Sequence, residues 1–251
     1  LYAWYQFAKD VSSSGDLDDL SGNDRDLTAR DSDKRPAAPT TDSPTTGYPT
    51  APNGFPAQSA VFNADLLEHA DDGENFTFGD GTDDSPFSIS VWVKVSDNAA
   101  HQIAAKYKNS AAGIAYQREW VLSISASTIK PRFLIQDESN NNTQWRDGTN
   151  AVQANVWTHI VATYDGRGGS GDANDVQAGP GIKIYKNGVD DTNDDSGSDT
   201  IYVAMENTLA PFTIGNSDDE PGAKDFDGSL ASVALWSKVL SADEVKALYH
   251  S

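Results

Sequence analysis

Cysteine is absent and methionine occurs once. That removes thiolate metal centres, redox pairs and cysteine nucleophiles, and a domain of this length has enough core not to need disulfides. No run of about 18 apolar residues occurs, so no helical membrane span is encoded. Basic residues are scarce. Eighteen Lys and Arg face 38 Asp and Glu, for a formal net charge of −20 and a pI near 4.3. Nucleic acid, whose phosphates need Lys and Arg, is excluded as a partner, and so is an anionic membrane surface. Glutamate is scarce too: of the acids, seven are Glu and 31 are Asp. Asp, short enough to bond its own backbone, is the acid of tight turns and calcium loops. The composition suits a high-salt or calcium-rich exterior.

What is present centres on Trp157 to Gly188. Trp157-Thr158-His159-Ile160-Val161-Ala162-Thr163-Tyr164 and Ile182-Lys183-Ile184-Tyr185-Lys186 are rich in β-branched and aromatic residues with a period of two, and both read as strands. Ile160, Ala162 and Tyr164 share one face; His159, Val161 and Thr163 share the other. Asn187-Gly188 is a two-residue hairpin signal, because both residues tolerate positive φ. Between the strands lies a loop near 166–181, long enough to expect a function for it. Further strands are expected at Tyr2–Phe7, Ser59–Phe62, Asn75–Phe78, Phe87–Val95, His101–Tyr107, Glu119–Ala126, Arg132–Gln136, Phe212–Gly215 and Phe226–Ser237. Asp10–Arg30 and Asn140–Gln144 read as polar turns or loops. Six prolines between 32 and 56 mark an insertion. Ser241-Ala242-Asp243-Glu244 is a capping box before a short helix. The opening Leu1-Tyr2-Ala3-Trp4-Tyr5 is already strand-like, so the expectation is one domain over 1–251 that is part of a larger multidomain chain.

Several of these pieces resemble one family. Ala3-Trp4-Tyr5-Gln6-Phe7 with Asp19-Leu20-Ser21-Gly22-Asn23, Phe87-Ser88-Ile89-Ser90-Val91-Trp92-Val93-Lys94, His159-Ile160-Val161-Ala162-Thr163-Tyr164-Asp165-Gly166, Lys183-Ile184-Tyr185-Lys186-Asn187-Gly188 and Phe226-Asp227-Gly228 are similar to the motifs of laminin-G-like, concanavalin-A-like jelly rolls. The resemblance implies an all-β fold: an antiparallel two-sheet jelly-roll sandwich with a short C-terminal helix. It implies a structural Ca²⁺ at Asp19 and Asn23, closed by Asp225 and Asp227. Where the family often carries acids inside its closing strand, this chain has Ala231 and Ser232. The Asp-rich, Cys-free composition also resembles modules of large calcium-loaded bacterial surface adhesins.

Catalysis finds little support in the residues. The E-x-D-x-x-E spacing of laminarinase-type glycosidases is absent, and Asp137-Glu138 reads as a strand-end turn. His159 lies within a strand, and no nucleophile elbow is present. The EF-hand pattern is absent as well. Asp172-Ala173-Asn174-Asp175 and the acids of 190–195 and 218–220 add candidate cation loops, Asp172 among the metal ligands. Sugar recognition pairs an aromatic face with planar hydrogen-bonding groups. Asn142, Gln144, Trp145, Arg146 and Asp147 supply that composition, with Arg118 nearby and Asp175 on the long loop. Tyr107, Tyr116, Trp120 and Arg132 lie on neighbouring stretches. Trp4, Trp92, Trp157 and Trp236 read as core. The expected function is non-enzymatic: a calcium-dependent, lectin-like module that adheres to glycans or polysaccharide on a cell surface. A protein-binding adhesive module and a polysaccharide-degrading domain are the alternatives.

Overall fold

The computed structural model describes residues 1–7, 12–40, 42, 58–71, 73–109, 116–167, 181–193, 202–216 and 225–250. Two antiparallel sheets carry the chain. One holds β1 (Ala3–Gln6), β4 (Ala60–Asn63), β6 (Phe87–Val95), β11 (Thr158–Tyr164), β12 (Ile182–Lys186), β13 (Val189–Asp190) and β16 (Asp227–Trp236). The other runs in the order β14 (Thr192–Asn193), β10 (Asn142–Gly148), β9 (Pro131–Asp137), β8 (Gln117–Ile124), β7 (His101–Lys108), β15 (Phe212–Ile214), β5 (Leu67–His69), β3 (Leu27–Ala29), β2 (Asp16–Leu17). A helix, α1 (Ala242–His250), follows the last strand. This is the jelly-roll sandwich expected.

Alternation places the core. Phe87, Ile89, Val91, Val93 and Val95 of β6 point inward with Ile160, Ala162 and Tyr164 of β11. From the nine-stranded sheet come Trp120, Leu122, Phe133 and Ile135. Aromatic rings knit the layers: Phe78 stacks on Phe87 with centroids 4.0 Å apart, and Phe76 stacks on Phe212 at 4.1 Å. β16 keeps Leu230, Val233 and Leu235 in this core although the first differs in parity from the others. A bulge between Leu230 and Ser232 shifts the phase by one residue.

On the outer face of the seven-stranded sheet, Val161 and Tyr185 pack with Val245 of α1 and with Leu240, which precedes the helix. The capping box forms: Ser241 N–H donates to Glu244 Oε2 at 2.8 Å, and Glu244 N–H donates to Ser241 Oγ at 3.3 Å. Asn187 and Gly188 take φ of 52° and 77° at the β12–β13 turn. A Cβ on Gly188 would also lie 3.0 Å from that of Tyr249, so the turn fits under the helix only as glycine.

Three expectations are corrected. Asn75–Phe78 is not a strand. Phe76 has φ of 62°, and its backbone is held by side chains instead of a ladder: Tyr2 Oη accepts its N–H at 2.8 Å and Trp120 Nε1 donates to its carbonyl at 2.9 Å. Asn140–Gln144 is not all loop. The turn closes at Asn141, with φ of 53°, and pairing with β9 begins at Asn142 opposite Asp137. The polar stretch Asp10–Arg30 contains β2 and β3 as an edge hairpin. Of the proline-rich insertion, 43–56 lie outside the described residues, as do 168–180 of the long loop.

One end of the sandwich is tied by a buried acid. Asp84 accepts hydrogen bonds from Tyr164 Oη at 2.6 Å, Tyr202 Oη at 2.7 Å and Met205 N–H at 2.8 Å. Burial nonetheless pushes its pKa up to about 6. Such a carboxyl binds its proton more tightly folded than unfolded. Its contribution is therefore complete below about pH 4 and is lost as pH rises through about 6. Glu119, pushed up to about 7 by burial, acts in the same sense, whereas buried His159, driven down to about 3, acts oppositely. Asp84→Asn isolates the first effect. Melting temperatures between pH 4.5 and 7.5 should show the wild type losing ground to the variant as pH rises. A pH-independent difference would remove Asp84 as the titrating group.

Candidate carbohydrate-binding face

The outer face of the nine-stranded sheet is legible from its register. One row crosses it: Trp145 opposite Leu134, Leu134 opposite Val121, Val121 opposite Ala105, Ala105 opposite Thr213. The adjacent row sets Asp147 beside Arg132 and Arg132 beside Ser123. Arg132 donates from Nε to Asp147 Oδ1 at 2.6 Å and from Nη2 to Oδ2 at 2.9 Å. Its guanidinium carbon stands 5.7 Å from the centre of the Trp145 ring. The bond to Asp147 pushes the Arg132 pKa up, outweighing its partial burial. Tyr107, Asn109, Gln102, Ser123, Val121, Leu134 and Arg132 line a cleft of about 240 Å³ on this face. At the far end Arg118 donates to Glu138 at 2.6 Å and to Asn141 Oδ1 at 2.7 Å, and lies 4.3 Å over Tyr116. The result is a half-buried indole, small apolar residues along its flank, and planar polar groups held in fixed orientations.

Alternation divides the proposed ligand set. Trp145 and Asp147 face outward. Gln144 pairs with Ile135 and Arg146 with Phe133, both core residues, so these two side chains share the inward face and are buried. Asn142 pairs with Asp137 in the same phase. Their polarity suggested exposure; the register decided otherwise. Arg118 belongs to the outer face through its pairing with Tyr107. Asp175 lies outside the described residues. Trp120 is fully buried in the core and Trp92 is buried as expected, while Trp4, Trp157 and Trp236 are half-buried on outer surfaces, the reverse of expectation. Tyr107, Arg132 and Ser123 carry the cleft. The Arg132–Asp147 pairing was recoverable from the sequence once Asn142–Gly148 was read as a strand.

The expected calcium ligands do not converge. Asp19 Oδ1 accepts the N–H groups of Trp4 and Ser21, both at 2.9 Å, and Oδ2 accepts the Ser21 hydroxyl at 2.8 Å and the Arg25 N–H at 3.3 Å. Asn23 Nδ2 donates to the Tyr2 carbonyl at 3.0 Å. The loop is closed by its own amides. Trp4 pairs with Ala234, whereas Asp227 opens β16 opposite Asn63, seven residues or roughly 20 Å of strand away. Asp225 accepts a hydrogen bond from Asn216 near that far end. Asp172 lies outside the described residues. Among the described residues no group of three His, Cys, Asp or Glu is placed to hold a metal.

A family model described as the concanavalin A-like lectin/glucanases superfamily, of laminin G type, matches residues 69–246. The chain belongs to this superfamily. No curated protein matches it. Among solved structures, this superfamily member is similar to domain 4 of AbnA, a GH43 extracellular arabinanase from Geobacillus stearothermophilus, in complex with arabinotriose: TM-score 0.55, 19% identity, covering 99% of this chain and 98% of that one. It is similar to the receptor binding domain of botulinum neurotoxin D, with TM-score 0.56, 15% identity, and 98% and 51% of the two chains covered. Trypanosoma rangeli sialidase in complex with sialic acid gives TM-score 0.58 and 13% identity over 99% of this chain and 32% of the sialidase. At these identities the likeness is one of fold. The superfamily chain spans about half of the toxin domain and a third of the sialidase.

Asp19→Ala removes an almost fully buried acceptor of four hydrogen bonds and should destabilise the domain by about 3 kcal/mol. Thermal melts should show the same loss in chelator and in millimolar calcium. A loss seen only in calcium would restore a metal to this loop.

Proposed function

We propose that this domain is a non-catalytic, lectin-like module that binds carbohydrate on the outer face of its nine-stranded sheet. The observation that carries the reading is Trp145, presented outward beside the Arg132–Asp147 pair and the cleft of Tyr107. An indole offers the apolar face of a sugar ring a surface, and the fixed guanidinium and carboxylate meet its hydroxyl rim. The AbnA domain, similar over its whole length and solved with arabinotriose, supports the same reading.

A binding role is favoured over hydrolysis by the state of the carboxylates. Asp147 and Glu138 on the outer face are each engaged by an arginine. The described acids with raised pKa, Asp65, Asp84 and Glu119, are buried: Asp65 accepts the Asn63 N–H, Asp84 is taken by hydroxyl and amide donors, and Glu119 Oε1 by those of Thr208. General acid catalysis needs such a group within reach of the substrate oxygen.

We further propose calcium dependence and an extracellular role in adhesion to glycans on a cell surface, as one domain of a longer chain. The net charge of −20 and the excess of Asp in loops support the cation. Asp19, Asn23, Asp225 and Asp227 do not fit one ion, so the cation would be held by other acidic loops.

Isothermal titration over a panel of oligosaccharides, arabinotriose included, tests the site. Trp145→Ala should weaken binding by roughly tenfold or more while leaving the melting temperature within a degree or two. Retained affinity would place the sugar elsewhere. Arg132→Ala should weaken binding as well, by freeing Asp147. Loss of binding in EDTA, regained with calcium, is the expected metal response; indifference to EDTA would overturn the calcium part alone.

A further inference from the structure

The opposite surface carries a second built feature. On the outer face of the seven-stranded sheet, small residues occupy the centre and large rings the edges. Ala234 lies between Trp4 of β1 and Ser90 of β6, and Ser232 pairs with Trp92. Trp236 follows on β16, and His159 of β11 pairs with Trp92. Leu1 and Leu248 close the rim around a groove of about 220 Å³.

We propose that this groove is a second carbohydrate site, one that seats a single sugar ring on the indoles of Trp4 and Trp236 with its hydroxyls over Ser90 and Ser232. The proposal is independent of the face around Trp145, since the two surfaces lie on different sheets. Three observations carry it. The first is the indole array. Trp92 forms a buried floor, stacked by Tyr249 at 5.6 Å, while Trp4 and Trp236 remain half-buried walls.

The second is the polarity of the floor. Trp4 Nε1 donates to Ser232 Oγ at 3.3 Å, and Ser90 Oγ lies 2.8 Å from His159 Nε2. Each serine still has hydrogen-bonding capacity, because a hydroxyl offers one donor and two acceptor positions. His159 is 1% exposed, and its Nδ1 has no hydrogen-bond partner among the described residues. Burial keeps the ring neutral, its pKa driven down to about 3. An apolar side chain entering the groove would leave the serine hydroxyls dry, at a cost; a polyhydroxylated ring satisfies them.

The third is neutrality. Among the described residues no charged side chain lines the groove, on a chain of net charge −20. A groove adapted to a cationic peptide would show its carboxylates there.

The six indole N–H signals in a proton–nitrogen NMR spectrum, assigned by single Trp→Phe substitutions, test the proposal on the whole chain. Methyl β-galactoside, methyl β-glucoside and arabinotriose are titrated in turn, with cyclohexanol and N-acetyltryptophanamide as apolar controls. At least one sugar should shift Trp4, Trp92 and Trp236 together, with a dissociation constant different from that for Trp145. Trp236→Ala should weaken the groove response by roughly tenfold and leave the Trp145 response unchanged. Ser232→Ala, a milder change, should weaken it in the same direction. Sugars that move Trp145 alone would overturn the second site while leaving the first intact. Sugars that move only the groove would support it and overturn the first. No sugar response at either place would overturn both. Displacement of no sugar but saturable binding of the apolar controls would assign the groove to a protein side chain and sink the proposal.

Discussion

The period of two along a paired strand governs this molecule. Each residue of a strand belongs to one face, and its cross-strand partner inherits that face. Once Phe87, Trp120 and Phe133 are committed to the interior, the destinations of their strand neighbours follow up to the next bulge, such as the one that turns Arg118 outward on β8. Trp145 is surface because Arg146 and Gln144 are not. The candidate binding face is thus a by-product of how the core is filled, and the arginine–carboxylate pair upon it is fixed in place by the same ladder that packs the rings beneath.

Much of the sandwich was legible in the residues. Phe87–Val95 and Thr158–Tyr164 alternate cleanly, and both are central strands. Asn187-Gly188 and Ser241–Glu244 performed the turn and the cap their chemistry specifies. What escaped was the face of each polar or aromatic residue. Asn142–Asp147 looks like a loop because its composition is hydrophilic, yet half of it is interior: Gln144 and Arg146 are buried in the strand that exposes Trp145. Tryptophans misled in the same manner. Size alone assigns them to the core, but Trp4 and Trp236 lie on the outward phase of edge-proximal strands and Trp120 on the inward phase. Phase depends on partners far away in sequence, and composition carries no record of it.

The acidic turns teach a related lesson. An Asp-rich loop can be stabilised by a cation or by backbone amides, and the two look alike in sequence. In the loop beginning at Asp19 the amides have taken the carboxylate oxygens, and the Tyr2 carbonyl has taken the amide of Asn23 and the guanidinium of Arg25. Charge count therefore bounds the demand for cations across the chain without locating any ion.

The bulge in β16 acts as a phase switch in the covering of the seven-stranded sheet. Upstream of it, the outward row is polar: Asp227 and Ser229 with Lys94 alongside. Downstream it becomes Ser232, Ala234 and Trp236, bordered by indoles. A single surplus residue lets one unbroken strand display two unlike textures while its buried side stays uniformly apolar. Deleting that residue would force a choice, since either half could keep its lining only by turning the other inside out.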